Sequence, residues 1–357
     1  MSKTERPLTE PKKILVCQQR QIGDVLLATP VFRLLRGRFP DAELHMFTEK
    51  KCEPLLRHNP CVDAFHLIEK GGFFRQVAFY RKTAAQGFDA VIDLQQLPRC
   101  RTMTLFSRAP VRVSFFSRPF IHWRYTHLVR PEQGYACRTK ASLLKPFGIS
   151  WHGEGPEIFL LEEEKAAGRQ LLKDCGWQPE LQLVTIDSTH RRASKRWPAE
   201  RFAELILRLG RNGGRQFLLL RGPGEESEMQ NLQALCLGLG VKKEHLLLPA
   251  EVPGIRLSAA CIAEADLHVG GCSAPRHMAA ALGVPSLVIP GASGPEWRFP
   301  LPMHRELRPE LPCQPCSLRE CPDPKCLLLI TPEMAADQAE EMLRAWPKHA
   351  RAGRLYD

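Results

Sequence analysis

Two periodicities alternate along the chain: short apolar runs that suit buried strands, and stretches with apolar residues three and four apart that suit helices. In the first half they predict strands at Ile14–Cys17, Glu43–Phe47, Phe65–Ile68, Ala90–Leu94 and Val111–Phe115, with helices starting at Asp24 and spanning Phe74–Gln86. The segment Leu161–Asp174, rich in Glu, Lys and Ala, reads as a further helix stopped by Cys175-Gly-Trp-Gln-Pro179. The alternation then restarts with strands Leu181–Ile186, Gln216–Leu220 and His245–Leu248 and helices Pro198–Leu209, Glu225 to about Leu237, and Ile255–Glu264. A last helix should begin after Thr331, with Pro332 in its first turn. Two such repeats predict an α/β fold of two doubly wound, Rossmann-like domains facing across a cleft. The helix stop near Cys175 places the expected domains at 1–175 and 176–357.

Two strand-to-helix turns stand out within this pattern. In the first, the apolar strand Ile14–Cys17 is followed by Gly23 and Asp24, after which Val25, Leu26, Val31, Leu34 and Leu35 take helical spacing. Ligands of open parallel sheets bind at the carboxyl ends of the strands, and a carboxylate delivered there suits a general base. The same residue could simply cap the helix that follows. The second turn lies between Leu267 and Pro290, where Gly270, Gly271, Ser273 and Ala274 keep bulk away from the loop. Pro275 fits a first helical turn, and Gly283 a helix stop. Free N–H groups at the start of such a helix attract an anion, and a diphosphate fits. Glycines that serve only tight packing would look the same.

A chain of 357 residues is long for one core, which agrees with two domains. The polar start and the lack of any run of about 18 apolar residues predict neither signal peptide nor transmembrane helix, hence a cytoplasmic protein. In that reducing setting scattered thiols such as Cys17, Cys61, Cys175 and Cys261 read as small buried apolar side chains. The net charge of +11 is concentrated: Arg99 to Lys145 holds ten Lys or Arg and one acid, Glu132. Nucleic acid, an anionic membrane or a phosphorylated substrate would each suit this segment, and Phe115, Phe116, Phe120, Trp123 and Tyr125 could stack on bases or sugars. No nucleic-acid motif accompanies the charge, and the first turn lacks the Gly-x-Gly-x-x-Gly of a nicotinamide enzyme.

Taken in order, four places resemble the lipopolysaccharide heptosyltransferases, glycosyltransferase family 9. They are Arg20-Gln-Ile-Gly-Asp24 with Pro30; Ser194-Lys-Arg-Trp-Pro198 with Phe202; Ser273-Ala-Pro-Arg-His277 with Ala279-Ala-Ala-Leu-Gly-Val-Pro285; and the cysteine-rich tail before Thr331. The resemblance covers most of the chain. It implies a GT-B fold and an inverting, metal-independent transfer of heptose from ADP-heptose to the lipopolysaccharide inner core, without a cofactor. It further implies an anionic, phosphorylated lipid-linked acceptor met peripherally at the inner face of the inner membrane.

Residue by residue, the resemblance makes Asp24 the base and Lys195 a catalytic and donor-binding cation on the diphosphate. The turn Ser273, Ala274, Pro275 and His277 would hold the donor, assisted by Asp187, Ser188 and Glu225. Acceptor contacts are expected from Arg20 and Gly23 and from Arg99, Arg101 and Arg124 on the basic segment. Trp197 should pack beneath its loop. One departure concerns the sugar: where the family carries an acid ahead of Thr-Gly, this chain has Cys272, Ser273 and Ala274. A related transferase using another nucleotide sugar, or an inactive relative, would show the same change. The spacing of Cys313, Cys316, Cys321 and Cys326 could hold zinc, although buried or redox-paired thiols fit as well, and no metal is assigned.

Overall fold

The computed structural model describes residues 10–68, 71–116, 119–316 and 318–348. The chain divides into two compact units after Phe159. In the first, six parallel strands, β1 (Lys13–Cys17), β2 (Glu43–Glu49), β3 (Ala64–Ile68), β4 (Ala90–Asp93), β5 (Val111–Phe115) and β6 (His127–Val129), lie in the order β3-β2-β1-β4-β5-β6. In the second, β7 (Gln182–Asp187), β8 (Arg215–Leu219), β9 (Leu246–Leu247), β10 (Leu267–Gly270), β11 (Ser286–Val288) and β12 (His304–Glu306) are also all parallel, ordered β12-β11-β10-β7-β8-β9. Each order reverses beside its first strand, between β1 and β4 and between β7 and β10. At such a switch point the flanking connections leave in opposite directions and open a crevice at the carboxyl edge.

The strands are apolar because both faces are covered. Along β1, Ile14 and Val16 pack with Phe32, Leu44 and Met46 on one side, while Leu15 and Cys17 pack with Phe47, Tyr80 and Met103 on the other. Period-two alternation of orientation thus feeds two cores from one uninterrupted apolar run. In the second unit Val184, Ile186, Trp197, Phe202, Phe217 and Leu219 share one core with the final helix, Pro332–Ala345. That helix starts as its sequence predicts, with the Thr331 hydroxyl accepting the Met334 N–H at 3.2 Å.

Three differences from the sequence reading have physical causes. The helix Glu162–Asp174, expected to close the first domain, belongs to the second unit, where it packs on the helix Ile255–Ala263. Its Gly168 lies so close that an added Cβ would sit 2.7 Å from the Ala260 Cβ. Its acidic N-terminus makes the contact, because Glu164 pairs with Arg256. The boundary therefore precedes this helix rather than following it. The basic segment reads as loops and short helices; it does hold the short helix Ala136–Ala141, and also helix Pro98–Ser107 and strand β6, which the pattern does not announce. The signal of Pro98–Ser107 is weak because its buried face carries Thr104 and Ser107 beside Cys100 and Met103. Edge strand β12, only three residues long, carries His, Arg and Glu and gave no apolar run.

Cys17 and Cys261 are buried as expected, while Cys61 and Cys175 are half-buried at helix and loop ends. Cys326 is buried, and Cys313 is exposed. Among the described residues no group of three or more His, Cys, Asp or Glu side chains is arranged to hold a metal ion, and no helix is long and apolar enough to cross a membrane.

Candidate functional site

Asp24 occupies the third position of a one-turn helix, Ile22–Leu26, that follows β1. The helix starts ahead of Asp24, with Gln21 as its N-cap, so Asp24 does not cap the turn that follows it; one carboxylate oxygen instead reaches back to accept the Gln21 N–H at 3.3 Å. This bond uses one oxygen of a half-buried side chain and leaves the other with its lone pairs. The loop ahead of Asp24 is held from two sides. Gln95, just past β4, accepts the Arg20 N–H at 3.1 Å through Oε1 and donates from Nε2 to the Arg20 carbonyl. Gln18 donates to the same carbonyl at 3.0 Å.

Behind this loop lie two buried ionisable groups that sequence reasoning missed. Lys140, on the helix Ala136–Ala141, donates to Gln18 Oε1 at 2.8 Å. Burial pushes its ammonium below the usual lysine range, and the charge of Asp24 opposes that fall. Asp93, the last residue of β4, accepts the Tyr125 hydroxyl at 2.7 Å and the N–H groups of Gln95 and Gln96 at 3.0 and 2.7 Å. Burial raises its carboxyl to about 6 despite these bonds. With its lone pairs occupied, Asp93 is a poor base and a good anchor for Gln95. A lysine inside an amphipathic basic stretch and an acid ending an apolar strand carry little sequence signal of burial.

Four of the expected acceptor residues follow the carboxyl ends of β1 and β4, and the fifth, Arg124, does not join them. Arg20 is exposed, and Gly23 precedes Asp24 in the one-turn helix. Arg99 and Arg101 lie in the first turns of the helix Pro98–Ser107, which follows β4. Arg124 ends a 3-10 turn, Pro119–Arg124, that leads back to the amino end of β6; Arg112, near the start of β5, donates to its carbonyl at 2.7 Å, and its guanidinium lies 4.4 Å above the Trp123 ring.

In the second unit the expected donor residues converge at the carboxyl ends of β10, β7 and β8. Asp187 ends β7, and the Ser273 hydroxyl donates to its carboxylate. Burial raises Asp187 to about 7, the Ser273 bond lowers it, and the nearby charge of Glu225 raises it again. Gly270 is required here, because a Cβ would come within 2.8 Å of both the Asp187 Cβ and its carbonyl oxygen. Ser188 is buried beside Asp187. Glu225 accepts the Gly222 N–H at 2.7 Å, closing the Gly-Pro-Gly turn after β8.

Ser273 is the N-cap of the helix Ala274–Ala281, with Pro275 at its second position, so the remaining N–H groups of this turn point out of the helix start. His277 is buried, 6.2 Å from the Trp297 ring in edge geometry. Burial, then the charge of Arg276, holds its imidazole well below the usual histidine range, which makes it a neutral donor. Lys195 ends a short 3-10 turn, Ala193–Lys195. Burial holds its ammonium below the usual lysine range, and its backbone lies against the same loop, since a Cβ added to Gly271 would sit 3.4 Å from the Lys195 carbonyl oxygen. Arg276 itself pairs with Glu306 at 2.9 Å and donates to Cys272 Sγ at 3.4 Å. Trp197 is buried beneath the loop, donating to the Ile330 carbonyl at 3.1 Å and meeting Phe202 edge-on. The arrangement offers a cation and free N–H groups to an anion, and a polar rim of Asp187, Ser188 and Glu225 to hydroxyls.

Comparison with known proteins shows the family and the fold. Lipopolysaccharide heptosyltransferase 3 of Escherichia coli K12 is 27% identical over 285 residues, spanning 77% of this chain and 81% of that protein. A glycosyl transferase family 9 structure from Veillonella parvula superposes with TM-score 0.81 at 22% identity, covering 94% of this chain and 98% of that one. The E. coli ADP-heptose lipopolysaccharide heptosyltransferase II superposes with TM-score 0.76 at 19% identity, covering 93% and 99%. The two sheets thus have the GT-B arrangement of strands. Residues 76–327 match the sequence profile of glycosyltransferase family 9 (heptosyltransferase), and the chain belongs to that family.

Proposed function

We propose that the protein is an inverting heptosyltransferase that moves heptose from ADP-heptose to a phosphorylated lipopolysaccharide inner-core acceptor. The acceptor oxygen attacks the anomeric carbon, its proton passes to Asp24, and the bond to the diphosphate breaks with its electron pair leaving on ADP. The β-phosphate gains charge in that step. Lys195 and the N–H groups at the Ser273–His277 turn are the groups that stabilise it, so transfer needs neither metal nor cofactor.

The observation that carries the reading is the clustering of Lys195 with the helix start at Ser273, beside the polar trio Asp187, Ser188 and Glu225. Phosphate and ribose demand that combination. The E. coli relatives named as heptosyltransferases, one of them for ADP-heptose, support heptose and ADP as the reading for the donor. Basic residues at the carboxyl edge of the first sheet would meet acceptor phosphates.

Cys272 favours a second reading for the sugar alone, because a sulfur against Arg276 stands where the family carries a carboxylate that would accept sugar hydroxyls. Incubating the full chain with ADP-heptose and purified inner-core acceptor, with a chelator present, tests the proposal through acceptor-dependent ADP release. Release with ADP-heptose supports it. Release only from another ADP-sugar supports the second reading, and no release from any nucleotide sugar refutes both.

A further inference from the structure

The geometry points to a membrane-docking face on the first unit, built for an anionic lipid surface by the aromatic and arginine side chains around the 3-10 turn Pro119–Arg124. This deepens the proposed function and rests on it for the lipid-linked nature of the acceptor. Large apolar side chains exposed singly need no explanation, whereas a cluster of exposed rings does. Phe116 is 53% exposed, Phe120 63% and Trp123 66%. Among the described residues every strongly exposed aromatic ring lies in this unit, while the exposed apolar side chains of the second unit are leucines and one methionine.

The rings are interleaved with cations rather than with acids. The Arg124 guanidinium lies 4.4 Å over Trp123, and Arg130 lies 5.8 Å from the Phe116 ring, which also meets His122 at 4.8 Å. Arg112 fixes the turn from beneath by donating to the Arg124 carbonyl at 2.7 Å. Glu132, the one acid between Arg99 and Lys145, is consumed by ion pairs with Arg138 at 2.8 Å and Lys145 at 2.6 Å. What remains outward is positive. Ring bodies beside guanidinium groups match the boundary between acyl chains and phosphate headgroups, where each half of the pair finds its own medium.

Placement supports the same partner. Phe116 directly follows β5, and the exposed pair Phe73 and Phe74 opens the helix Phe73–Ala84 beyond β3. In a parallel sheet all carboxyl ends share one edge, which is also the edge of Asp24. Phe116, Phe73 and Phe74 therefore lie toward the side of the sheet that carries the base, while the turn runs from Phe116 back toward the amino end of β6, where Arg112 holds Arg124.

The test is co-sedimentation of the full chain with vesicles of phosphatidylcholine mixed in equal parts with phosphatidylglycerol, and with vesicles of phosphatidylcholine alone. Binding should favour the anionic vesicles by about tenfold or more and weaken with salt. The triple variant Phe116→Ser/Phe120→Ser/Trp123→Ser should lose about tenfold, and Arg130→Gln about fivefold. Both should keep the parent's thermal midpoint, because every substituted side chain is exposed. Absence of vesicle binding, equal binding by the triple variant, or tighter binding of a single-stranded oligonucleotide in competition would overturn the inference. No donor or acceptor enters the assay, so a negative result leaves the transferase reading standing. Loss of ADP release from a lipid-free acceptor would instead strike that reading and not this one.

Discussion

Lys140 Nζ donates a 2.8 Å hydrogen bond to Gln18 Oε1, and the other end of the same amide holds the Arg20 carbonyl at 3.0 Å, four residues ahead of Asp24. A buried ammonium thereby fixes the loop that aims the base, and the charge of that base opposes the fall that burial imposes on it. Such a cation is costly to bury and is retained where its charge or its geometry is used.

Lys140 should therefore act as a positioning residue. In Lys140→Met the cost of burying the ammonium is relieved while Gln18 Oε1 loses its donor. These effects offset to within about 2 kcal/mol in unfolding free energy. Transfer should nevertheless fall about tenfold in kcat, since small displacements of a base are expensive, with KM for the donor unchanged. Denaturant titration together with steady-state kinetics separates the two effects, and a parent-like kcat would remove Lys140 from the mechanism.

Asp187 predicts a pH signature in stability. Its folded pKa of about 7 lies above the unfolded value of about 3.9. The folded state thus binds more protons than the unfolded state between these values, and stability is lost as pH rises through that window. Asp187→Asn removes the buried charge and keeps an acceptor for Ser273, so the variant should gain thermal stability over the parent near pH ~8 and not near pH ~4. Asp93, raised to about 6, behaves likewise in both proteins and cancels in the difference. Equal melting differences at the two pH values would show that Asp187 is not held protonated by burial.

Gly291 has φ +53°, and a Cβ there would collide with the Ser194 carbonyl and come within 3.0 Å of the Lys195 Cα. Gly291→Ala should cost about 2 kcal/mol of stability and push the Lys195 turn away from the Ser273 helix start. Weaker ADP binding by calorimetry would follow. Unchanged ADP affinity in a destabilised variant would place Lys195 outside the donor site.

Most of the fold was readable because β1, β4, β7 and β10 are buried on both faces, so their apolar runs carry no competing pattern. Tight turns with fixed chemistry, such as Gly270 against Asp187, were legible for the same reason: only one residue type fits. Lys140 and Asp93 were not legible, since a polar residue is read as exposed until partners as distant in sequence as Gln18 and Tyr125 are known. The domain boundary was misplaced because Gly176 and Pro179 do stop the helix, as read, while the packing of Gly168 on Ala260 decides to which unit that helix belongs. Asp24 shows the limit from the other side: the sequence suggests a cap for the turn that follows, whereas its carboxylate bonds back to Gln21 through one oxygen and leaves the second available.

The central claim is that Asp24 removes the acceptor proton, and the turnover of Asp24→Asn measures it most directly. Asparagine retains an oxygen to accept the Gln21 N–H and cannot take up a proton, so the fold and ADP binding should match the parent while kcat falls by about a thousandfold. An Asp24→Asn enzyme that releases ADP with acceptor at the parent's rate would contradict the account.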